Sequence, residues 1–216
     1  MDFGNIVGEA FGYAREGLIG KWMKWILLLV ATIILALPLM GYSLKILRGE
    51  KPSPEVAGWG TLFIDGIKYA IICIIYAIPV IIILALAMAP MLTAAMSGNT
   101  NAVMASMGAF LIGLVILFIV AIIISLFEFI GVVRFARTGS MGEAFNISAI
   151  LATIGKIGWV SYILALIIMM IIIVVIEVIC NLIPVVGTLI LFILIPFIVL
   201  FQARYICMIY DSVGTT

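Results

Sequence analysis

The chain has 216 residues, 67% of them hydrophobic and only 10% charged, with a net charge of +1 and no histidine; its mean hydropathy is +1.44. A soluble domain is about half apolar and about a quarter charged, so these values exclude a water-solvated fold and make lipid the solvent. They also exclude a bulk field for nucleic acid, and they remove the commonest general base and metal ligand.

The first twenty residues carry Asp2, Glu9 and Glu16, which interrupt any signal-peptide core, so the mature protein is expected to keep its N-terminus. Over residues 2–20, Phe3, Ile6, Val7, Ala10, Phe11, Ala14 and Leu18 recur at helical spacing, with Asn5, Glu9 and Glu16 largely on the other side. This predicts an amphipathic helix lying flat in the membrane interface, greasy stripe down. Residues 25–44 are free of charge and flanked on both sides by lysine. Their length suits a plain span, while basic residues at both ends suit a re-entrant hairpin turning at Pro38 and Gly41 in "ALPLMGY". The charge pattern makes the hairpin the favoured expectation.

Four full spans are expected near 69–89, 103–130, 157–178 and 184–206, because a helix needs about 20 apolar residues to cross the hydrocarbon. The first two share one charge-free run, 69–127, broken at "PMLTAAMSGNTN"; the last two are separated by "CNLIPVVG", a turn at Asn181 and Pro184. Lysine and arginine number four in residues 44–68 and three in 131–156, but none in 90–102 or 181–183. The positive-inside rule therefore makes the loops 44–68 and 131–156 and the C-terminus cytoplasmic, as in a multi-pass protein of the plasma membrane.

"GEAFGYAREGLIGK" at 8–21 returns as "GEAFNISAILATIGK" at 142–156. In the second copy Ser140 and Glu143 have capping-box spacing and predict a helix start at Ser140. Ile19-Gly20-Lys21 and Ile154-Gly155-Lys156 are expected to release each helix and anchor it at the headgroups. "WGTLFIDGIK" at 59–68 reads as a weaker third version, with its break at Asp65 and Gly66. The chain is thus expected to be one membrane domain, 1–216, with possible units at 1–48, 58–130 and 140–210.

With those residues in view, "GYSLKILRG" (41–49), "WGTLFIDGIK" (59–68), "FARTGSMGEAFN" (135–146), "IPVVG" (183–187) and "ARYICMIYDS" (203–212) resemble the archaeal and bacterial membrane family catalogued as domain of unknown function 4013. The resemblance runs over essentially the whole chain. It implies a small polytopic helical bundle and, because the family has no assigned activity, supplies no catalytic residues.

Ionisable residues within spans are functional candidates because burying them is costly. Glu128 and Arg204, the latter beside Gln202, lie near the inner ends of spans and are expected to pair, either as a salt bridge or as the lining of an inward-facing cavity. Glu177 lies near an outer end with no basic residue in either outer loop, so it is read as a solvated carboxylate or as a proton or cation site. Lys21, Lys24, Arg48, Lys68, Arg134, Arg137 and Lys156 are candidate lipid-headgroup contacts or topology anchors. Cys73, Cys180 and Cys207 lack metal-ligand spacing and read as small hydrophobes. The chain contains no P-loop, GxSxG or HExxH. The expectation is a helical membrane protein without catalysis or cofactor, acting as a scaffold, lipid-interacting or accessory subunit. Its partners would be membrane lipids and a membrane complex or further copies of itself. The alternative is a small transporter or channel with a polar site at Glu128 and Arg204 or at Glu177.

Overall fold

A computed structural model describes residues 1–183 and 185–215, and every element in it is helical. Eight α-helices follow one another: α1 (Phe3–Leu18), α2 (Trp22–Ile33), α3 (Leu37–Leu47), α4 (Trp59–Met96), α5 (Thr100–Thr138), α6 (Ile147–Ile157), α7 (Trp159–Asn181) and α8 (Val186–Asp211). Four stretches, Trp59–Met96, Thr100–Thr138, Trp159–Asn181 and Val186–Gly214, are long and apolar enough to cross a membrane. Pro184, which the sequence reading places in a turn, lies outside the described residues.

The chain divides into two compact units, Met1–Ala70 with Phe129–Thr216, and Ile71–Glu128. The second is a helical hairpin made of Ile71–Met96 of α4 and Thr100–Glu128 of α5. Its surface is apolar nearly throughout, with Ile74, Ile81, Leu86, Leu111, Ile112 and Phe118 exposed. Its limbs approach closely at Gly113, where a β-carbon would come 2.4 Å from that of Ala87. The charge-free parts of the limbs cover 71–96 and 100–127, rises of about 39 and 42 Å at 1.5 Å per residue.

In the first unit, α1 starts at Asp2, whose side chain accepts from the Asn5 backbone N–H at 3.0 Å, and ends before Gly20 at a φ of +80°. Its stripe Ile6, Ala10, Ala14 and Leu18 is fully buried, and α1 packs principally on α8. A helix stands where an interfacial one was expected, and its apolar stripe faces protein. Phe11 meets Phe197 edge-on at 5.3 Å.

Residues 25–44 do not form one helix. The chain breaks at Ile34–Ala36, where Leu35 and Ala36 adopt left-handed backbone at φ +53° and +57°. At 12 and 11 residues, α2 and α3 rise only about 18 and 16 Å. The turn is earlier than "ALPLMGY" suggests. Pro38 sits in the first turn of α3, where a missing N–H costs nothing, and Gly41 is a crossing point. A β-carbon on Gly41 would lie 1.9 Å from the Leu62 carbonyl oxygen, and one on Gly66 would lie 1.8 Å from that of Leu37. Two residue pairs four apart thus make a backbone-on-backbone crossing of α3 and α4, which only glycine permits. That contact is also why "WGTLFIDGIK" is not an in-plane helix broken at Gly66, since it is the uninterrupted start of α4.

The second Gly-Glu-Ala-Phe differs from the first. Residues 8–11 lie in the middle of α1, whereas Met141–Phe145 is a short 3₁₀ turn. Ser140 makes no side-chain cap. Helix α6 starts instead at Asn146, whose Oδ1 accepts from the Ala149 N–H at 3.2 Å. The capping box fails because Arg134 holds the Glu143 carboxylate. Gly155 lies inside α6, and the release comes at Gly158, φ +91°. Asn146→Ala is expected to cost about 1 kcal/mol and Ser140→Ala less than half that, read by chemical denaturation in detergent; equal effects would contradict the cap assignment.

Candidate functional site

The ionic side chains of the first unit collect around the ends of α3 and α5, the middle of α1 and the last turns of α8. Five ion pairs form among the described residues, each joining different elements: Arg48–Asp65, Lys51–Glu9, Arg134–Glu143, Arg137–Asp211 and Arg204–Glu9.

Arg204 is the most buried of these charges, 4% exposed. Its Nη2 donates to Glu9 Oε1 at 2.6 Å, and its guanidinium lies over the Tyr13 ring at 5.4 Å. Glu9 and Tyr13 are one helical turn apart on α1, so one face of that helix supplies both the carboxylate and the aromatic lid. Tyr13 donates its hydroxyl to the Glu50 carbonyl at 3.0 Å, and burial pushes its ionisation upward. Lys51 donates to the same oxygen of Glu9. Hydrogen bonds from Lys51, then from Arg204, hold Glu9 below the ordinary carboxylate range. Glu143 is likewise held low by Arg134 and Asn146. Arg204 Nε has no partner among the described residues.

Two arginines cap each other's helices. Arg137 Nε donates to the Leu47 carbonyl at the end of α3 at 2.7 Å. Arg48 Nε donates to the Ala136 carbonyl near the end of α5 at 3.3 Å. Terminal carbonyls carry the negative end of the helix dipole and have no partner in their own helix, so a cation delivered from the neighbour satisfies both needs. Each arginine also holds a carboxylate: Arg48 to Asp65 at 2.7 Å, and Arg137 to both oxygens of Asp211 at 2.8 and 2.9 Å. Gly49 and Gly139, both at positive φ, turn the chain away after the two ends.

An open polar cleft of about 620 Å³ adjoins this cluster, with Asp2, Glu9, Lys51, Lys156, Arg204 and Asp211 on its walls. Three acids and three bases share the lining, so it favours neither sign of ligand.

Arg204 draws its carboxylate from Glu9 rather than from Glu128, the partner expected from sequence. Glu128 stands beside the Cys73 thiol within the hairpin. Gln202 and Glu177 both line a groove of about 480 Å³ between α7 and α8. Of the seven headgroup candidates, Arg48, Arg134 and Arg137 are in ion pairs. Lys24 is turned inward, 4% exposed, with its ammonium donating to the Ser53 carbonyl at 3.0 Å and hydroxyl at 2.6 Å, which leaves it no face toward a headgroup. Lys21 and Lys156 are exposed, and Lys68 is half-buried. Glu9, Tyr13 and Asp211 were not among the residues singled out from sequence; the available signal was the four-residue spacing of Glu9 to Tyr13.

No curated protein and no solved structure matches this chain. The family described as "Protein of unknown function (DUF4013)" matches residues 25–185, a stretch that includes both capping arginines and the Gly41–Gly66 crossing. The chain belongs to that family.

Proposed function

We propose that the protein is a non-enzymatic, multi-pass component of the plasma membrane that acts as a scaffold or as a lipid-interacting accessory subunit. Four membrane-length helices supply the anchor. The ionic cluster, read by the positive-inside rule, is its cytoplasmic end, and the α2–α3 hairpin enters the bilayer from that side and returns. The exposed face of α2 and the turn supports this entry. Trp22, Met23, Ile26, Ile33 and Leu35 all point outward, Leu35 at 80% exposure, and water would disfavour such a face. One observation carries the scaffold reading: in the best-formed polar region of the first unit, the arginines are bound to carboxylates and helix ends, which locks four helices together rather than leaving charges free for a solute.

The alternative, a small transporter, draws on the presence of Glu177, Thr188 and Gln202 in one groove. Single-cysteine accessibility mapping separates the two after Cys73, Cys180 and Cys207 are replaced. Cysteines at Lys51 and Glu143 should label from the cytoplasmic side and those at Asn99 and Leu182 from the other, while Leu35 and Ile171 should resist water-soluble reagents from both. Labelling of Leu35 from outside would replace the hairpin with a plain span. Labelling of Ile171 would establish a water path and favour transport.

A further inference from the structure

We infer that α8 carries a lipid-binding groove that seats one hydrocarbon chain of a phospholipid, with the Gln202 amide meeting the ester linkage; this deepens the lipid-interacting reading above and rests on it. Two depressions share Ile195, Val199 and Gln202 of α8. One, of about 370 Å³, is walled by the α2–α3 hairpin through Thr32, Leu39 and Met40; the other, of about 480 Å³, is walled by Ile173 of α7 with Leu191 and Phe192 of α8, and carries Glu177 and Thr188 toward the end away from Gln202.

The occupant follows from depth, shape and chemistry. These walls belong to membrane-length helices and to the short hairpin beside them, so the medium that fills a gap at this level is hydrocarbon. The floor is apolar along α8 from Phe192 to Val199. From Phe192 to Gln202 the helix rises about 15 Å, the depth of one leaflet of an approximately 30 Å core. At the inner end of that path stands Gln202, half-buried, and its side-chain amide has no hydrogen-bond partner among the described residues. An amide held in apolar surroundings without a partner is costly. Gln202 lies two residues from Arg204, at the inner edge of the hydrocarbon, where the ester carbonyls of a phospholipid supply the missing acceptor. The groove thus offers a greasy track of one leaflet's length with a hydrogen-bond donor at the end where an ester would lie.

The test uses the full-length protein in nanodiscs of palmitoyl-oleoyl phosphatidylglycerol, released for native mass spectrometry. Wild-type protein should retain one phospholipid. Val199→Trp, which fills the shared floor, should abolish retention. Gln202→Leu should weaken it between about twofold and tenfold, the range one hydrogen bond provides. The diether analogue, which lacks the carbonyls, should bind wild type as weakly as the diester binds Gln202→Leu. Thermal melts show whether Val199→Trp stays folded, and the Gln202→Leu and diether comparisons stand without it. Retention unaffected by both substitutions would overturn the groove while leaving lipid interaction elsewhere intact. A wild type that keeps no phospholipid would overturn the groove and the lipid-interacting reading together. A second copy of the chain released by Val199→Trp would identify a dimer face instead and also overturn the proposal.

Discussion

Gly41→Ala is expected to lower the stability of the first unit by about 2–3 kcal/mol, at the upper end of ordinary overpacking costs. The added methyl group would sit 1.9 Å from the Leu62 carbonyl oxygen. What it strikes is backbone, which cannot swing aside as a side chain does, so α3 and α4 must part by more than an ångström. That separation also loosens Leu37 from Gly66. Gly66→Ala should therefore give a similar loss, and the double variant less than the sum, since the first substitution has already opened the crossing. Gly155→Ala is the matched comparison. A β-carbon there meets nothing within 4 Å, and alanine in a helix interior is favoured over glycine by about 0.5–1 kcal/mol. Thermal melts followed by tryptophan fluorescence in detergent order the three, and an unchanged Gly41→Ala melt would refute the close crossing.

Glu9→Gln is expected to cost about 2–3 kcal/mol, because it strands the buried Arg204 guanidinium; the figure is set below the cost for a fully buried pair since Glu9 itself borders the open cleft. For a chain of this size that corresponds to roughly 5–10 °C in melting temperature. Lys51→Ala touches the same carboxylate but from an exposed position and should cost less than about 1 kcal/mol. Adding Arg204→Met to Glu9→Gln should restore much of the loss, since the uncompensated charge is then gone. The dependence on acid has a definite sign. Glu9 has a lowered folded-state ionisation relative to its ordinary value near 4.5, so its contribution is complete above about pH 4.5 and fades as the pH falls below that through the folded value. Wild type should lose stability over that range more steeply than Glu9→Gln. Parallel pH profiles for the two would show that Glu9 is not the carboxylate that Arg204 depends on.

The membrane-length helices were legible from sequence because they rest on one-dimensional information: an uncharged run either has the length to cross or it does not. Residues 25–44 were less legible: their length suits a plain span, the lysines at both ends suit a fold-back, and neither feature marks the break between Trp22–Ile33 and Leu37–Leu47. The turn itself was misplaced because proline and glycine each have a second use. Pro38 opens α3, and Gly41 makes room for a backbone. The pairing of Arg204 was out of reach for a different reason. Glu9 lies 195 residues away, and nothing in local spacing distinguishes a carboxylate turned to water from one turned to another helix. Glu143 shows the converse failure. Its spacing from Ser140 fits a cap, but a nearby arginine offers a stronger partner than a backbone N–H. The short Leu-Arg-Gly and Arg-Thr-Gly pieces carried the resemblance without an evident reason, and the reciprocal capping by Arg48 and Arg137 now supplies one.

The two limbs of the Ile71–Glu128 hairpin outstrip the oil they are meant to cross. Uncharged rises of about 39 and 42 Å exceed a typical hydrocarbon core by about 10 Å. The excess must be absorbed by leaning, by local stretching of the surrounding lipids, or by self-association, each at a modest cost per ångström. For a hairpin so proportioned, a thicker bilayer costs less to cross than a thinner one.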